Sequence, residues 1–384
     1  MRTIKFGIIG TGLMGREFAS AAMRWSHLAD MDVKPEIIAI CGSPITPEEI
    51  AWYKDGLGTI TQVTEDYKEL LANPEVEAVY CAVPHFLHER FYIDIIEAGK
   101  HFLGEKPFGI DLAANTAINE AIKQNPDVFV RCSSEFPFAP AMQRLCDMIE
   151  AGEFGRIIEV EAGFLHSSDM DVNKPINWKR IIKANGEYGC MGDLGIHICH
   201  VPFRAGWMPK SVRAVLSNLV PERPNGKGGM AVCETWDNAV LLCESEDADG
   251  NSFPLTLKTQ RMAPGEKNTW YLTIKGMKGS AKFSTKNINS LEFMHYNGGG
   301  QAWSQEDMGH ETAFKSITGG IFETGFSDTI LQMWAAFMYE LVHGEPKKKF
   351  AGCVTPEEAE GSHALFTAAL DSYKKGSVEK VSVK

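Results

Sequence analysis

The sequence predicts an α/β domain with a doubly wound parallel sheet, followed by an α+β domain whose open, mostly antiparallel sheet carries helices on one face. Three observations predict it. From residue 4 to about 131, short apolar runs alternate with longer stretches of helical periodicity, the pattern of consecutive βαβ units. Beyond about residue 150 the chain becomes β-rich with turn-rich loops, which suits an antiparallel sheet covered on one face. The length of 384 residues exceeds the needs of one ordinary domain, and the division is expected between 1–132 and 133–384.

In the first part the expected strands are residues 4–9, 37–41, 78–83, 100–103 and 128–132. Between them Tyr67, Leu70 and Leu71, then Phe91, Ile95 and Ile96, then Ala114, Ala117, Ile118 and Ala121 recur at helical spacing. A linking helix over 140–151 leads to expected strands at 157–164, 212–220, 239–244, 254–259 and 271–274. Turns are marked by Pro224-Asn225-Gly226, Asp249-Gly250-Asn251 and Asn297-Gly298-Gly299-Gly300. Two helices, 328–343 and 356–374, close the chain. The second opens on a capping box, with Thr355 as cap, Pro356 at the first helical position and Glu358 three residues after the cap.

Composition narrows the function. An apolar fraction of 44% and a charged fraction of 23% are those of a globular protein. A net charge of -12 argues against a nucleic-acid partner, and Lys347-Lys348-Lys349 reads as a solvated loop. The apolar run at 4–9 is too short for a signal-peptide core and leads straight into glycines. No window approaches the roughly 18 apolar residues of a membrane helix. Nine cysteines without a C-x-x-C pair read as buried thiols of a reducing compartment, the cytoplasm, with no metal site.

The first strand runs Phe6-Gly7-Ile8-Ile9 into Gly10-Thr11-Gly12-Leu13-Met14-Gly15, and residues 16–24 read as a helix. That order is the context in which G-x-G-x-x-G marks a dinucleotide site, the Rossmann fingerprint. Gly10 permits the tight turn, Gly12 the approach of backbone to pyrophosphate, and Gly15 close packing of helix on strand, with the helix N-terminus adding partial positive charge. A βα turn without a ligand is the plainer alternative. One expected part is missing. The second strand ends Ile40-Cys41-Gly42-Ser43-Pro44, with neither an acid for the adenosine ribose nor an arginine for a 2′-phosphate. Cys41, Gly42 and Ser43 are expected beside the adenosine, and the cofactor leans to NAD, with NADP left open.

The strand at 100–103 continues into Glu105-Lys106-Pro107. Proline keeps the preceding residue out of the helical region, which leaves Lys106 extended at the sheet edge where ligands bind. There it can bond a substrate hydroxyl and favour its ionisation; a surface pair with Glu105 is the alternative. Asp193 and His197 stand at i and i+4 of the stretch 189–200, so a helix would turn both to one side. A histidine near its usual pKa of about 6.5 can take the proton that alcohol oxidation releases, and Asp193 either orients its ring or binds substrate. The plainer reading makes Asp193 a helix cap and His197 a structural residue. His166, Trp178, Lys179, Arg180 and His200 are further candidates for substrate contact.

Together the glycine turn, Glu105-Lys106-Pro107 and Asp193-x-Gly195-x-His197 resemble the Gfo/Idh/MocA family of sugar and cyclitol dehydrogenases over nearly the whole chain. Matching phrases include Ala82-Val83-Pro84-His85-x-x-His88, Glu97-Ala98-Gly99-Lys100-His101 and Gly276-Met277-Lys278-Gly279-Ser280. The resemblance implies that Lys106, Asp193 and His197 lie beside the nicotinamide, and that the segment from Ala82 to His88, with Glu105, lines the cofactor's ribose and nicotinamide side. The chain departs from many relatives at His85, where they carry asparagine, and at Pro137-Phe138-Ala139-Pro140, where they place arginine before the Phe. The implied activity is oxidation of a secondary hydroxyl of a sugar, glycoside or cyclitol by hydride transfer to nicotinamide. Relatives that oxidise a ring hydroxyl transiently, eliminate the glycosidic group and return the hydride supply the alternative, an NAD-dependent glycoside hydrolase. A sensor that binds dinucleotide without turnover is a third class. An exposed sheet face in the second domain implies a homodimer or homotetramer.

Overall fold

The protein is described from a computed structural model, over residues 1–309 and 312–382. The first part comprises β1 (Arg2–Ile9), α1 (Leu13–Met23), β2 (Val33–Cys41), α2 (Pro47–Leu57), β3 (Gln62–Thr64), α3 (Tyr67–Leu71), β4 (Ala78–Cys81), α4 (His88–Glu97), β5 (His101–Gly104), α5 (Leu112–Gln124) and β6 (Val130–Cys132). Its six strands lie in the order β3-β2-β1-β4-β5-β6, all parallel. Both faces are covered, which is why β1 is a nearly unbroken apolar run: Ile4, Phe6 and Ile8 face one core and Ile9 another. The strand order reverses between β1 and β4, and a crevice opens there at the carboxyl edge. β3 lies outside the sequence expectation, because three residues of which only Thr64 is buried give no periodic signal.

The second part follows as α6 (Pro140–Glu150), β7 (Ile157–His166), α7 (Ile182–Asn185), α8 (Cys190–Arg204), β8 (Ser211–Ser217), the β9 (Glu222–Pro224) and β10 (Met230–Val232) ribbon, β11 (Asn238–Glu246), β12 (Ser252–Gln260), β13 (Asn268–Gly276), β14 (Gly279–Ser284), β15 (Ser290–His295), β16 (Ser304–Asp307), α9 (Phe326–His343), α10 (Pro356–Lys375) and β17 (Glu379–Lys380). A nine-stranded sheet of order β16-β15-β14-β13-β7-β12-β11-β8-β17 forms, antiparallel except where β12 lies parallel to β7. Its strands alternate as a one-sided sheet requires: along β12 Phe253, Leu255, Leu257 and Thr259 are buried. The inner face packs on α6, α8 and α10 through Met142, Leu145, Ile198, Phe203, Leu365 and Phe366. Val215 and Leu242 on the outer face stay more than half exposed.

α8 is apolar nearly all round and buried from Cys190 to Phe203, as such a helix must be. α9 crosses back to the first sheet, where Ile330, Trp334 and Phe337 share a core with Phe6 and Phe18. It begins at Phe326, two residues before the expected start, with the Gly325 amide donating to Asp328 Oδ2 at 2.9 Å. The expected capping box of α10 is formed, Glu358 N donating to Thr355 Oγ1 at 3.3 Å and Thr355 N to Glu358 Oε2 at 2.9 Å. All nine cysteines are buried free thiols. Among the described residues no helix is long and apolar enough to cross a membrane.

Candidate active site

The glycine turn is a cradle made of backbone. Gly10 has φ +99°, and a Cβ there would stand 2.4 Å from the Ala82 carbonyl oxygen. A Cβ on Gly15 would stand 2.2 Å from the Gly10 oxygen, whereas one on Gly12 would meet nothing within 4 Å. Gly10 and Gly15 therefore serve the close packing of turn, β4 and α1, while Gly12 borders open space. Its position as the cap of α1, with no side-chain cap bond, leaves the first-turn amides and the positive end of the helix free for an anion. These residues fit the pyrophosphate of a dinucleotide.

From Gly12 and Met14 a cleft of about 690 Å³ runs past Ala82, Val83, His85 and Glu105 to Lys106, Asp193 and His197, within the size range of small-molecule sites. Lys106 is brought there by the end of β5. The turn after it is pinned from α10, where His363 Nε2 lies 2.7 Å from the Pro107 carbonyl oxygen. Phe108 takes φ +64°, a left-handed conformation uncommon outside glycine, and is packed against Tyr92 and Phe102. Lys106 Nζ donates to Asp193 Oδ1 and to the Asp193 carbonyl, both at 2.8 Å, leaving one ammonium proton for a ligand. The alternative pair with Glu105 does not form as such a contact. Glu105 Oε1 instead accepts from Tyr80 at 2.5 Å.

Asp193 is the most heavily bonded carboxylate of the cleft. Besides Lys106 it takes Lys179 Nζ at 3.1 and 2.9 Å on its two oxygens, and the Arg261 guanidinium. Burial opposes its charge, but Arg261, Lys106 and Lys179 outweigh burial and hold the carboxyl well below the usual range. Burial likewise works against the Lys106 ammonium, yet Asp193 and Glu105 raise its pKa above the ordinary lysine value. Lys179 falls the other way, to about 8, because burial and the charges of Arg261 and Lys106 outweigh Asp193.

His197 lies in the same cleft but is not bonded to Asp193. Its Nδ1 is 3.3 Å from Ser134 Oγ and 3.7 Å from Glu135 Oε2. Phe136 and Phe164 meet its ring edge-on at 5.2 and 5.4 Å, and its carbonyl accepts from Trp270 Nε1 at 3.0 Å. Burial, assisted by Lys106, pushes its pKa down to about 3, so the ring is neutral at pH 7. The i, i+4 spacing turns Asp193 and His197 to one cleft, as expected, but three cations claim the aspartate. The expected orientation of the ring by Asp193 is thereby corrected.

Burial corrects the expectations for Arg180, His200 and His88. Arg180 is 1% exposed and ion-paired with Asp169 and Asp237, a buried clamp behind the cleft rather than a substrate contact. His200 faces α10, 4.0 Å from Glu358. His88 is sealed off, its Nε2 3.0 Å from the Val83 carbonyl and its ring stacked on Tyr92. Cys41 contributes its carbonyl to the Gly10 amide at 2.8 Å while its thiol is core. Gly42, Ser43 and Pro84 are not cleft lining; a Cβ on Gly42 would meet Thr11 Oγ1 at 2.4 Å, and Ser43 is exposed. His166 and Trp178 do line the cleft, as does Lys179. Sequence reasoning missed Arg261, Ser168, Asn268, Phe164 and Phe326. For Arg261 a signal existed, a basic residue directly after the end of β12, but nothing tied that edge to Lys106.

A pyrophosphate cradle opening on a half-buried lysine, a buried carboxylate and a neutral imidazole is the site of a nicotinamide-dependent oxidoreductase. Residues 4–131 match the oxidoreductase family with the NAD-binding Rossmann fold, and residues 142–282 match the GFO/IDH/MocA C-terminal domain. The chain belongs to the Gfo/Idh/MocA family. It is similar to levoglucosan dehydrogenase of Pseudarthrobacter phenanthrenivorans, 26% identical over 305 residues and 76% of each chain. It is also similar to D-xylose 1-dehydrogenase (NADP(+)) of Hypocrea jecorina, 27% identical over 205 residues and 51% of each. In fold it is similar to the solved levoglucosan dehydrogenase in complex with NADH and levoglucosan, with a TM-score of 0.86 over 100% of both chains at 24% identity.

Proposed function

We propose that the protein is an NAD-dependent dehydrogenase that oxidises a secondary hydroxyl of a sugar, glycoside or cyclitol. The observation that carries this is the convergence of Lys106, Asp193 and His197 on one cleft that begins at Gly12. The glycine turn at Gly10, Gly12 and Gly15 would hold the NAD pyrophosphate, and the cofactor would supply the hydride acceptor for the carbinol carbon. Lys106, fixed by Asp193, offers its remaining ammonium proton to the hydroxyl oxygen and lowers the cost of its deprotonation. With Nδ1 turned to Ser134 and Glu135, Nε2 of neutral His197 is the acceptor for the hydroxyl proton. Trp178 and His166 offer a flat face and a hydrogen bond to a polyhydroxylated ring.

NAD is preferred to NADP in this reading because Glu65 reaches toward the loop after β2, its Oε1 3.5 Å from Ile45 N, where a 2′-phosphate would meet an anion. Residues 1–132 are taken as the dinucleotide unit and 133–384 as the substrate-binding and oligomerisation unit. The half-exposed Val215, Leu242 and Ile158 favour burial of the outer sheet face in a homodimer or homotetramer. The buried free thiols suit the cytoplasm.

The test is a panel of sugars, glycosides and cyclitols supplied with NAD. Stoichiometric NADH is expected from at least one. No NADH from any of them, although NAD binds, overturns the reading. Glycoside cleavage without net NADH, with solvent deuterium entering the adjacent carbon, replaces it with the redox-cycling hydrolase.

A further inference from the structure

Asp193 is occupied by three cations, so the carboxylate nearest the His197 ring is another one. Glu135 lies just beyond the end of β6, 7% exposed and in the wall of the cleft, with its Oε2 3.7 Å from His197 Nδ1. Among the described residues no lysine or arginine pairs with it. A buried carboxylate without a cation is costly, and it would be replaced cheaply by an apolar residue if it served packing alone. Neutral His197 has the converse difficulty. An imidazolium in this apolar setting, with the Lys106 ammonium nearby, is strongly disfavoured, so a hydroxyl proton accepted at Nε2 needs somewhere to go.

We propose that Glu135, with Ser134, positions His197 with Nδ1 protonated and receives that Nδ1 proton as Nε2 takes the proton of the substrate hydroxyl. This rests on the reading of His197 as the proton acceptor. The balance closes: one proton leaves the hydroxyl for Nε2, one leaves Nδ1 for the Glu135 carboxylate, and the ring ends neutral in its other tautomer. Glu135 ends as a carboxylic acid and returns its proton to solvent through the cleft before the next turnover. The 3.7 Å separation shortens to a hydrogen bond when substrate fills the cleft, as catalytic contacts commonly do. The groups that act on Glu135 are Glu105, which favours the protonated form, Lys106, which opposes it, and the Tyr80 hydroxyl; Asp193 and His166 act on His197 from α8 and β7. Burial is the largest influence and pushes Glu135 up to about 7, where it exchanges a proton readily at neutral pH.

The experiment is the pH profile of turnover for wild type, Glu135→Gln, Glu135→Asp and His197→Asn, with NAD binding as the check of folding. Wild type is expected to lose kcat as pH falls through about 7. Glu135→Gln keeps KM within about 3-fold, loses kcat by about 10- to 100-fold, and loses that limb. Glu135→Asp restores the limb at a shifted pH, and it decides the matter if the Gln variant does not fold. Wild-type kcat with an unchanged limb in the variants, while His197→Asn is inactive, overturns the relay and leaves the parent reading intact. Full activity of His197→Asn overturns the parent reading itself. Independently of turnover, imidazole nitrogen NMR of the unliganded protein is expected to find His197 protonated at Nδ1; protonation at Nε2 instead overturns the proposal.

Discussion

The two ends of the cleft are built from opposite materials. At the glycine turn the cleft is bordered by Gly12, the uncapped N-terminus of α1 and the apolar Leu13 and Met14, with no charged side chain. At the Lys106 end charged and polar side chains dominate, with a lysine just after β5, an aspartate and a histidine from α8, and Lys179 and Arg261 reaching the same carboxylate. A backbone cradle needs only local spacing, whereas the charged cluster depends on the carboxylate its cations share, because buried charges left without a counterpart cost more than the pair contributes. The difference is one of fragility, and it is open to measurement.

Acid should expose it most. His88 and His197 are held neutral with pKa values near 3, and His363 near 4, all lowered chiefly by burial. A group with a depressed folded pKa binds protons preferentially in the unfolded chain. Its stabilising effect is therefore present above about 6.5 and is lost as pH falls toward the folded values. At pH 4.5 each such histidine costs about 2–3 kcal/mol, so the three together approach the whole stability of a typical protein. Circular dichroism should show cooperative acid unfolding between about pH 4 and pH 6. Native signal persisting at pH 4 would show that these histidines reach solvent.

Next in size is Asp193→Ala, which strands Lys106, Lys179 and Arg261 together. A loss of about 3–5 kcal/mol is expected in denaturant unfolding, with turnover abolished. The glycines give a contrast at smaller scale. Gly15→Ala drives a methyl into the Gly10 carbonyl and should weaken NAD binding by about 100-fold or more, roughly 3 kcal/mol. Gly12→Ala meets nothing in the free protein, so its stability should be unchanged while NAD binding falls by about 10-fold. Equal effects on folding from the two would break the distinction between a packing glycine and a ligand-facing one. Smallest is Lys179→Met. Lys106 and Arg261 still hold Asp193, so about a 10-fold loss in kcat/KM is expected with thermal stability nearly unchanged.

The first sheet was legible because its strands are apolar on both faces and most of its helices carry regular periodicity; β3, too short and too polar, escaped, and so did α2, of which only Tyr53 is buried. In the second sheet most of the long alternating strands were readable, while β9, β10, β16 and β17 were too short or too exposed to stand out from loops, and β14 and β15, six residues each, were also missed. The crossing of α9 onto the first sheet was invisible, since an apolar helix face does not say which core it enters.

What the sequence determined by itself is whatever depends on near neighbours: the glycine turn, the lysine held at a strand end by proline, the shared helical side of Asp193 and His197, and the capping box of α10. Tertiary structure alone decided the electrostatics of the cleft. It placed Lys179 and Arg261, 14 and 68 residues away from Asp193, on one carboxylate, and left Glu135 rather than Asp193 beside His197. The physical reason is that charge interacts through space and strengthens as water is excluded. The pairing and the protonation of these groups are therefore properties of the assembled cleft rather than of any segment that contributes to it.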